Sequence, residues 1–284
     1  MSDNELGDFL RTCRESVTPE EVGLPAGPRR RTPGLRRSEL ATLAGISVEY
    51  LTRLEQGRDR NPSGQVLGAI ANALRIPYEQ RVELRRLSKK ASGMTYCLGA
   101  VPPARTVRPT VRALVNGFEP NAAIVINRVG EVLAHTSGYA RLAEPVGLLE
   151  GDPPSLVRYV FTDPRARTTY PDWDRVADAQ IDALRCAAAK DDPHVAAIAD
   201  DLSVIAGPEF AERLNRPSRT PPRTGVLRFR HPDAGELRLA FETLDLPEAD
   251  GQQIIVYLPA DPATETALEN LARPAPGPLR VVRG

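Results

Sequence analysis

A multidomain chain is predicted: an all-α domain of five helices built around a helix-turn-helix, followed by an α+β domain with an antiparallel sheet. Three observations carry this expectation. The run from Arg37 to Arg58 has the apolar spacing of two short helices on either side of Gly45. Residues 91–109 hold Pro102, Pro103 and Pro109 with Gly93 and Gly99 and no periodicity, the composition of a linker. Beyond about residue 110, alternating apolar strands stand at both ends of a helical stretch. The 284 residues give length for two domains, and 41% apolar with 26% charged residues is ordinary for a globular protein.

Leu6, Phe9, Leu10 and Cys13 recur at helical spacing, so residues 5–16 form the first helix. Residues 18–35 are irregular and end in a basic cluster. The second helix runs from about Arg37 to Ala44, and Gly45 supplies the turn because glycine takes positive φ without strain. Ser47 caps the third helix, which stops before Gly57. Asn61-Pro62-Ser63 opens the fourth, to about Leu74, and Tyr78–Leu87 is the fifth.

In the second domain, Ala122–Asn127 and Glu131–His135 pair across the turn Arg128-Val129-Gly130. Helices are expected at Pro154–Phe161, Pro164–Thr169, Trp173–Ala189, His194–Ala206 and Pro208–Leu214, with Asp163 capping Pro164 at a first helical position. Val226–Arg230 and Glu236–Leu244 form a hairpin around His231–Gly235, Gln253–Leu258 adds a third strand, and Thr264–Leu271 closes the domain. The expected division is a helix-turn-helix domain over 1–90, a linker over 91–109, a second domain over 110–273 and a flexible tail over 274–284.

The net charge of zero hides an asymmetry: residues 1–90 carry 16 Lys and Arg against 12 Asp and Glu, the remainder 21 against 25. A polyanion is expected at the basic end. Leu40, Ala41, Ala44, Ile46, Leu51 and Leu54 fall on inward faces, with Ala41 small where two helices must approach. That leaves Ser47, Val48, Glu49 and Arg53 on the outer face of the third helix as candidate base readers in a DNA major groove. Arginine reads guanine O6 and N7, glutamate accepts from cytosine N4, and a valine methyl touches thymine. Arg37, Arg58 and Arg60 flank that helix and are expected on phosphates, while Arg29, Arg30 and Arg31 are placed to follow the backbone or enter a minor groove. One short helix reads too few bases for specific binding, so a homodimer is expected. Glu55 reads as structural, a partner for Arg14.

The three cysteines (Cys13, Cys97, Cys186) and three histidines (His135, His194, His231) are scattered, so no metal site is expected. The stretch Ser2-Asp3-Asn4-Glu5 is polar and acidic, unlike a signal peptide, and no run of about 18 apolar residues occurs; a cytoplasmic protein with no membrane partner is expected. No catalytic constellation and no glycine-rich phosphate motif is present, so no enzyme is expected.

Several segments closely resemble a known family. Arg30-Arg31-Thr-Pro-Gly-Leu-Arg36-Arg37-Ser-Glu-Leu-Ala, Tyr50-Leu-Thr-Arg-Leu-Glu-Gln-Gly-Arg-Asp59 and Asn61-Pro-Ser63 look like the MmyB-like subfamily of XRE-type helix-turn-helix transcriptional regulators. The resemblance continues in Val160-Phe-Thr-Asp-Pro-Arg-Ala-Arg167, Tyr170-Pro-Asp-Trp173 and Arg230-His231-Pro232 with Gly235-Glu-Leu, so it spans nearly the whole chain. It implies a second domain of PAS-like fold that holds a fatty-acid-like molecule. The chain departs from the family pattern at His135-Thr136, at Pro154-Ser155 and over 215–224.

Leu237, Leu239 and Phe241 alternate with Arg238, Ala240 and Glu242, and Ile124 and Ile126 give the first hairpin one apolar face. With Phe161, Trp173, Phe229 and Tyr257 these residues (Ile124, Ile126, Leu239 and Phe241 foremost) are the candidate lining of a ligand pocket. Alternation alone describes a filled core equally well. The sequence therefore predicts a DNA-binding regulator whose second domain senses a small apolar ligand, a fatty acid or similar lipid, with no other cofactor. The alternative is a second domain that serves only dimerisation or partner recruitment. An enzyme with an appended DNA-binding module would need ionisable groups converging in a pocket.

Overall fold

The computed structural model describes residues 4–25, 34–92, 102–188, 192–217, 219–246 and 249–273. They form two compact units. The first opens with α1 (Glu5–Ser16), α2 (Arg37–Ala44), α3 (Val48–Glu55), α4 (Gly64–Ala73) and α5 (Tyr78–Ser92). Its core is leucine-rich, with Leu10, Leu40, Leu51, Leu54, Leu67 and Leu84 fully buried. The caps are those expected. Gly45 has φ 65°, its N–H donates to Thr42, and the Ile46 N–H donates to the Ala41 carbonyl, closing α2. The Ser47 hydroxyl accepts from the Tyr50 N–H at 3.1 Å, and Ser63 does the same for Val66 at 3.3 Å. After α4 the same closure is made by Arg75 at φ 50°, where the Ile76 N–H reaches the Ala71 carbonyl at 2.9 Å. Arg75→Gly is expected to raise stability by roughly 0.5 kcal/mol: relief of left-handed strain outweighs the freer unfolded chain. Urea unfolding should show a higher midpoint at unchanged slope.

The second unit begins with α6 (Pro109–Asn116), β1 (Ala122–Ile126), β2 (Val132–His135), α7 (Ser137–Ala143), α8 (Leu156–Thr162), α9 (Ala166–Thr169) and α10 (Trp173–Ala188). The chain then supplies α11 (Pro193–Ile205) and α12 (Pro208–Leu214) to the first unit, and returns as β3 (Thr224–His231), β4 (Gly235–Asp245), β5 (Gln253–Pro259) and α13 (Pro262–Ala272). Residues 192–217, which lie within the stretch expected as the second domain, pack with the helical unit. The physical reason is a close seat on α4: a Cβ on Gly64 would lie 2.5 Å from the Asp200 carbonyl oxygen, and one on Gly68 2.6 Å from that of Ser203. Val204 completes the leucine core, and the Arg81 guanidinium donates to the Val204 carbonyl at 3.2 Å. Arg85 and Lys89 reach Asp201 at 2.5 and 2.8 Å, which also carries α5 beyond the predicted end at Leu87.

All strand pairs are antiparallel, in the order β2-β1-β5-β4-β3. This is the sheet of the α+β, PAS-like domain that the sequence predicts. Its inner face carries Ile124, Tyr257, Leu239 and Phe229, covered by α7–α10 and α13. Its outer face carries Ala123, Val125, Ile254 and Val256, packed against Val111 and Val115 of α6. Helices α6 and α7 were not expected: α6 contributes only two buried residues, and α7 starts Ser137-Gly138, poor helix formers. Two of the residues that depart from the family pattern serve as caps. Thr136 caps α7 through the Tyr139 N–H at 3.2 Å and donates to the Asn121 carbonyl at 2.8 Å, and Ser155 caps α8.

His231 is buried at the β3–β4 turn. Its Nδ1 accepts from the Asp233 and Ala234 N–H groups at 3.1 and 3.2 Å, so Nε2 carries the proton and donates to the Arg141 carbonyl at 3.0 Å. The histidine is thus a structural clamp between β3 and α7. His231→Ala is expected to cost about 1–3 kcal/mol, read as a lower thermal midpoint, by leaving those backbone groups unsatisfied.

Candidate nucleic-acid interface and apolar core

Helix α3 presents one polar face. Ser47, Val48, Glu49 and Arg53 are all exposed, Val48 by 38%, while Leu51 and Leu54 on the opposite face are fully buried. Glu49 and Arg53 stand one turn apart, so both reach the same side of the helix. The Arg53 guanidinium lies 5.7 Å from the centroid of the Tyr50 ring, which steadies a long side chain in its outward position. The Ser47 hydroxyl spends its acceptor on the cap and keeps its proton to donate.

Arg37, Arg58 and Arg60 surround this face: Arg58 and Arg60 are exposed, and Arg37 is partly so. Arg36, exposed beside Arg37 where α2 begins, is a further cation in position that the sequence reading passed over; the adjacent Arg36-Arg37 pair was its signal. Arg29, Arg30 and Arg31 lie outside the described residues. Beneath the face, Glu55 is completely buried and accepts from Arg14 at 2.6 and 3.2 Å and from Arg37 at 2.7 Å. The Asn4 side chain donates to the Glu55 carbonyl at 2.8 Å. One carboxylate thereby ties the C-terminal end of α3 to α1 and to the start of α2. The expected pairing with Arg14 is present, and Arg37 joins it with a side chain still 42% exposed.

In the second unit, seven of the eight predicted lining residues meet in one core: Ile124, Ile126, Phe161, Trp173, Phe229, Leu239 and Tyr257. Phe241 points to the same sheet face but lies across Gly225 at the strand's other end, outside that cluster. Trp173 donates its indole N–H to the Val160 carbonyl at 3.0 Å and carries the Arg167 guanidinium 3.9 Å above its ring. The sequence reading missed Tyr139, Tyr159 and Tyr170, all buried in the same core. Tyr139 stacks on Tyr257 at 5.8 Å, and Tyr170 meets Phe229 edge-on at 5.8 Å and Tyr159 at 6.2 Å. Burial pushes the Tyr139, Tyr170 and Tyr257 phenols up, and for Tyr139 and Tyr170 their tyrosine neighbours add to the shift, so all three stay protonated donors at neutral pH.

Among the described residues no cluster of three or more His, Cys, Asp or Glu side chains could hold a metal ion. No described helix is long and apolar enough to cross a membrane.

Two family models match the chain. One, described as the MmyB-like transcription regulator ligand binding domain, covers residues 107–271; the other, a helix-turn-helix domain, covers residues 5–84. No curated protein sequence matches it.

Proposed function

The chain belongs to the MmyB-like transcription regulators, a DNA-binding domain joined to a ligand-binding domain, and from that premise we propose how the two tasks are divided among its residues. Helix α3 enters the major groove of an operator. Arg53 and Glu49 contact base edges with Ser47 and Val48 beside them, and Arg36, Arg37, Arg58 and Arg60 hold phosphates on either side. The observation that supports this most directly is the outward polar face of α3 over a fully buried leucine face. Two copies bind together as a homodimer of XRE type, since one eight-residue helix spans too few base pairs for specific binding.

The apolar core between the inner sheet face and α7–α10 takes a small fatty-acid-like ligand, and its occupancy shifts the population between DNA-binding arrangements. The families matched are those of a regulator, and neither is catalytic.

Two measurements test the division. Arg53→Ala is expected to weaken the preferred operator by about 10- to 100-fold and random DNA hardly at all, because a bidentate base contact discriminates by about 1–3 kcal/mol. Arg58→Ala should weaken every sequence alike and lower the salt slope by about 1. Equal loss on all sequences for Arg53→Ala would remove it from the base-reading face. For the ligand, native mass spectrometry of the purified protein should show a bound lipid, or uptake of added dodecanoic acid. A clean apo protein that ignores added lipid would leave the second unit as a dimerisation or recruitment module.

A further inference from the structure

We propose that Tyr139, Tyr170 and Tyr257 form the head-group site of the second unit, and that the group they grip is an uncharged oxygen acceptor on an alkyl-chain ligand. This rests on the sensing reading above and narrows it to a chemical class.

The four core tyrosines differ in one respect. Tyr159 is satisfied: its hydroxyl bonds the Val146 carbonyl at 3.0 Å and the Thr169 hydroxyl at 2.8 Å. The hydroxyls of Tyr139, Tyr170 and Tyr257 have no hydrogen-bond partner among the described residues. Tyr139 and Tyr170 are only 5% and 6% exposed. None of these three oxygens is among the fully enclosed polar atoms that lack a partner, so each has open space beside it although its ring is buried or half-buried. Three within one core make a concentrated set of donors: Tyr139 stacks on Tyr257, and Tyr170 lies near enough to shift Tyr139 and to be shifted by Tyr257. A ligand oxygen with two lone pairs can accept from two of them, and a second ligand oxygen, as in an ester, from the third.

The charge of that oxygen follows from the surroundings. Arg167 is spent on the Trp173 ring, Arg141 bonds Ser137 and the Pro120 carbonyl, and Arg175 bonds the Val226 carbonyl. His135, whose ring lies 6.4 Å from that of Tyr139, directs Nδ1 at the Thr136 carbonyl. Among the described residues no arginine, lysine or histidine hydrogen-bonds the side chain of Tyr139, Tyr170 or Tyr257, and the neighbouring groups that shift Tyr139 and Tyr170 are other tyrosines. An ionised carboxylate here would be buried without a cation, which is strongly disfavoured. An ester, ketone, lactone or protonated acid fits the donors without that penalty.

The test uses the full-length protein and three probes read by quenching of its single tryptophan, Trp173, or by calorimetry: methyl dodecanoate, dodecanoic acid and 1-bromodecane. The ester is expected to bind with an affinity independent of pH between 5.5 and 8.5. Dodecanoic acid should weaken about tenfold per pH unit across that range, because a carboxyl of ordinary pKa, about 4–5, leaves ever less neutral acid. Tyr139→Phe and Tyr257→Phe should each weaken the ester roughly three- to tenfold, the worth of one neutral hydrogen bond, and leave 1-bromodecane within twofold. Dodecanoate binding at pH 7.5 as tightly as the ester, or equal losses for ester and bromoalkane in the phenylalanine variants, would overturn this inference and leave the sensing reading standing. Failure of all three probes to bind would overturn both.

Discussion

Glu55→Ala is expected to unfold the helix-turn-helix region, lowering its stability by about 3–5 kcal/mol, the cost of breaking a buried ion pair by removing one partner. Glu55 is wholly buried, and the Arg14 side chain that would be left behind is nearly so. That arginine would keep its bonds to the Leu35 carbonyl at 2.8 Å and to the exposed Glu15 carboxylate at 3.2 Å but lose both contacts to Glu55. Circular dichroism on heating should show the loss, and operator binding should fall with it. The double variant Arg14→Leu with Glu55→Leu is expected to recover most of the stability, because exchanging a whole buried pair for apolar groups of similar size is often neutral. If the single variant melts within about 0.5 kcal/mol of the native protein, the clamp is not structural.

The second large effect is expected at Asp201. Both it and Arg85 are buried, their side chains 2.5 Å apart, with Lys89 on the other carboxylate oxygen at 2.8 Å. Asp201→Asn removes the hydrogen-bonded countercharge of the Arg85 guanidinium and leaves it only the more distant Asp200, so a loss of about 3–5 kcal/mol is expected at neutral pH. The pH dependence has a definite sign. Burial pushes the Asp201 carboxyl up, but Lys89 and Arg85 push it down further, and the net shift is downward. A group depressed in the folded state adds stability above the ordinary carboxylate range, and that stability is lost as pH falls through its folded pKa. The gap between native and Asp201→Asn unfolding midpoints should therefore be widest near pH 7 and shrink in acid below about pH 4. Neighbouring Asp200 is shifted up, chiefly by burial, and acts in the opposite sense. The paired comparison at one residue, rather than the whole protein's pH curve, is the informative measurement. A gap that stays constant from pH 7 to pH 3 would count against the ion pair.

Much of this architecture was legible because local signals agreed. Gly45, Ser47 and Gly57 punctuate α2 and α3 where the structure ends and begins them, and the strict alternation through Leu237, Leu239 and Phe241 marks β4. The outward face of α3 followed from helical spacing alone. What spacing cannot state is which surface an apolar face will meet. Val195, Leu202 and Val204 announce that α11 is buried on one side, yet nothing local says that the partner is α4, more than a hundred residues earlier. Gly64 and Gly68 advertised a close approach without naming what approaches. The tyrosines were hidden for a similar reason: a sequence shows a phenol but not whether its hydroxyl finds an acceptor, and Tyr159 and Tyr170 differ only in that.

The origin of α11 and α12 also bears on how such a protein can be recombined. A regulator assembled as successive modules can trade its DNA-binding half by one crossover in the joining segment. Here a single junction between Ser92 and Pro102 would carry α1–α5 to a new partner without the two helices that complete their unit. Gly64 and Gly68 would face an empty seat, Arg85 would lose its carboxylate, and the leucine core would lack Val204. A working chimaera has to splice at three places at once, so the two halves are expected to be inherited, and to diverge, together.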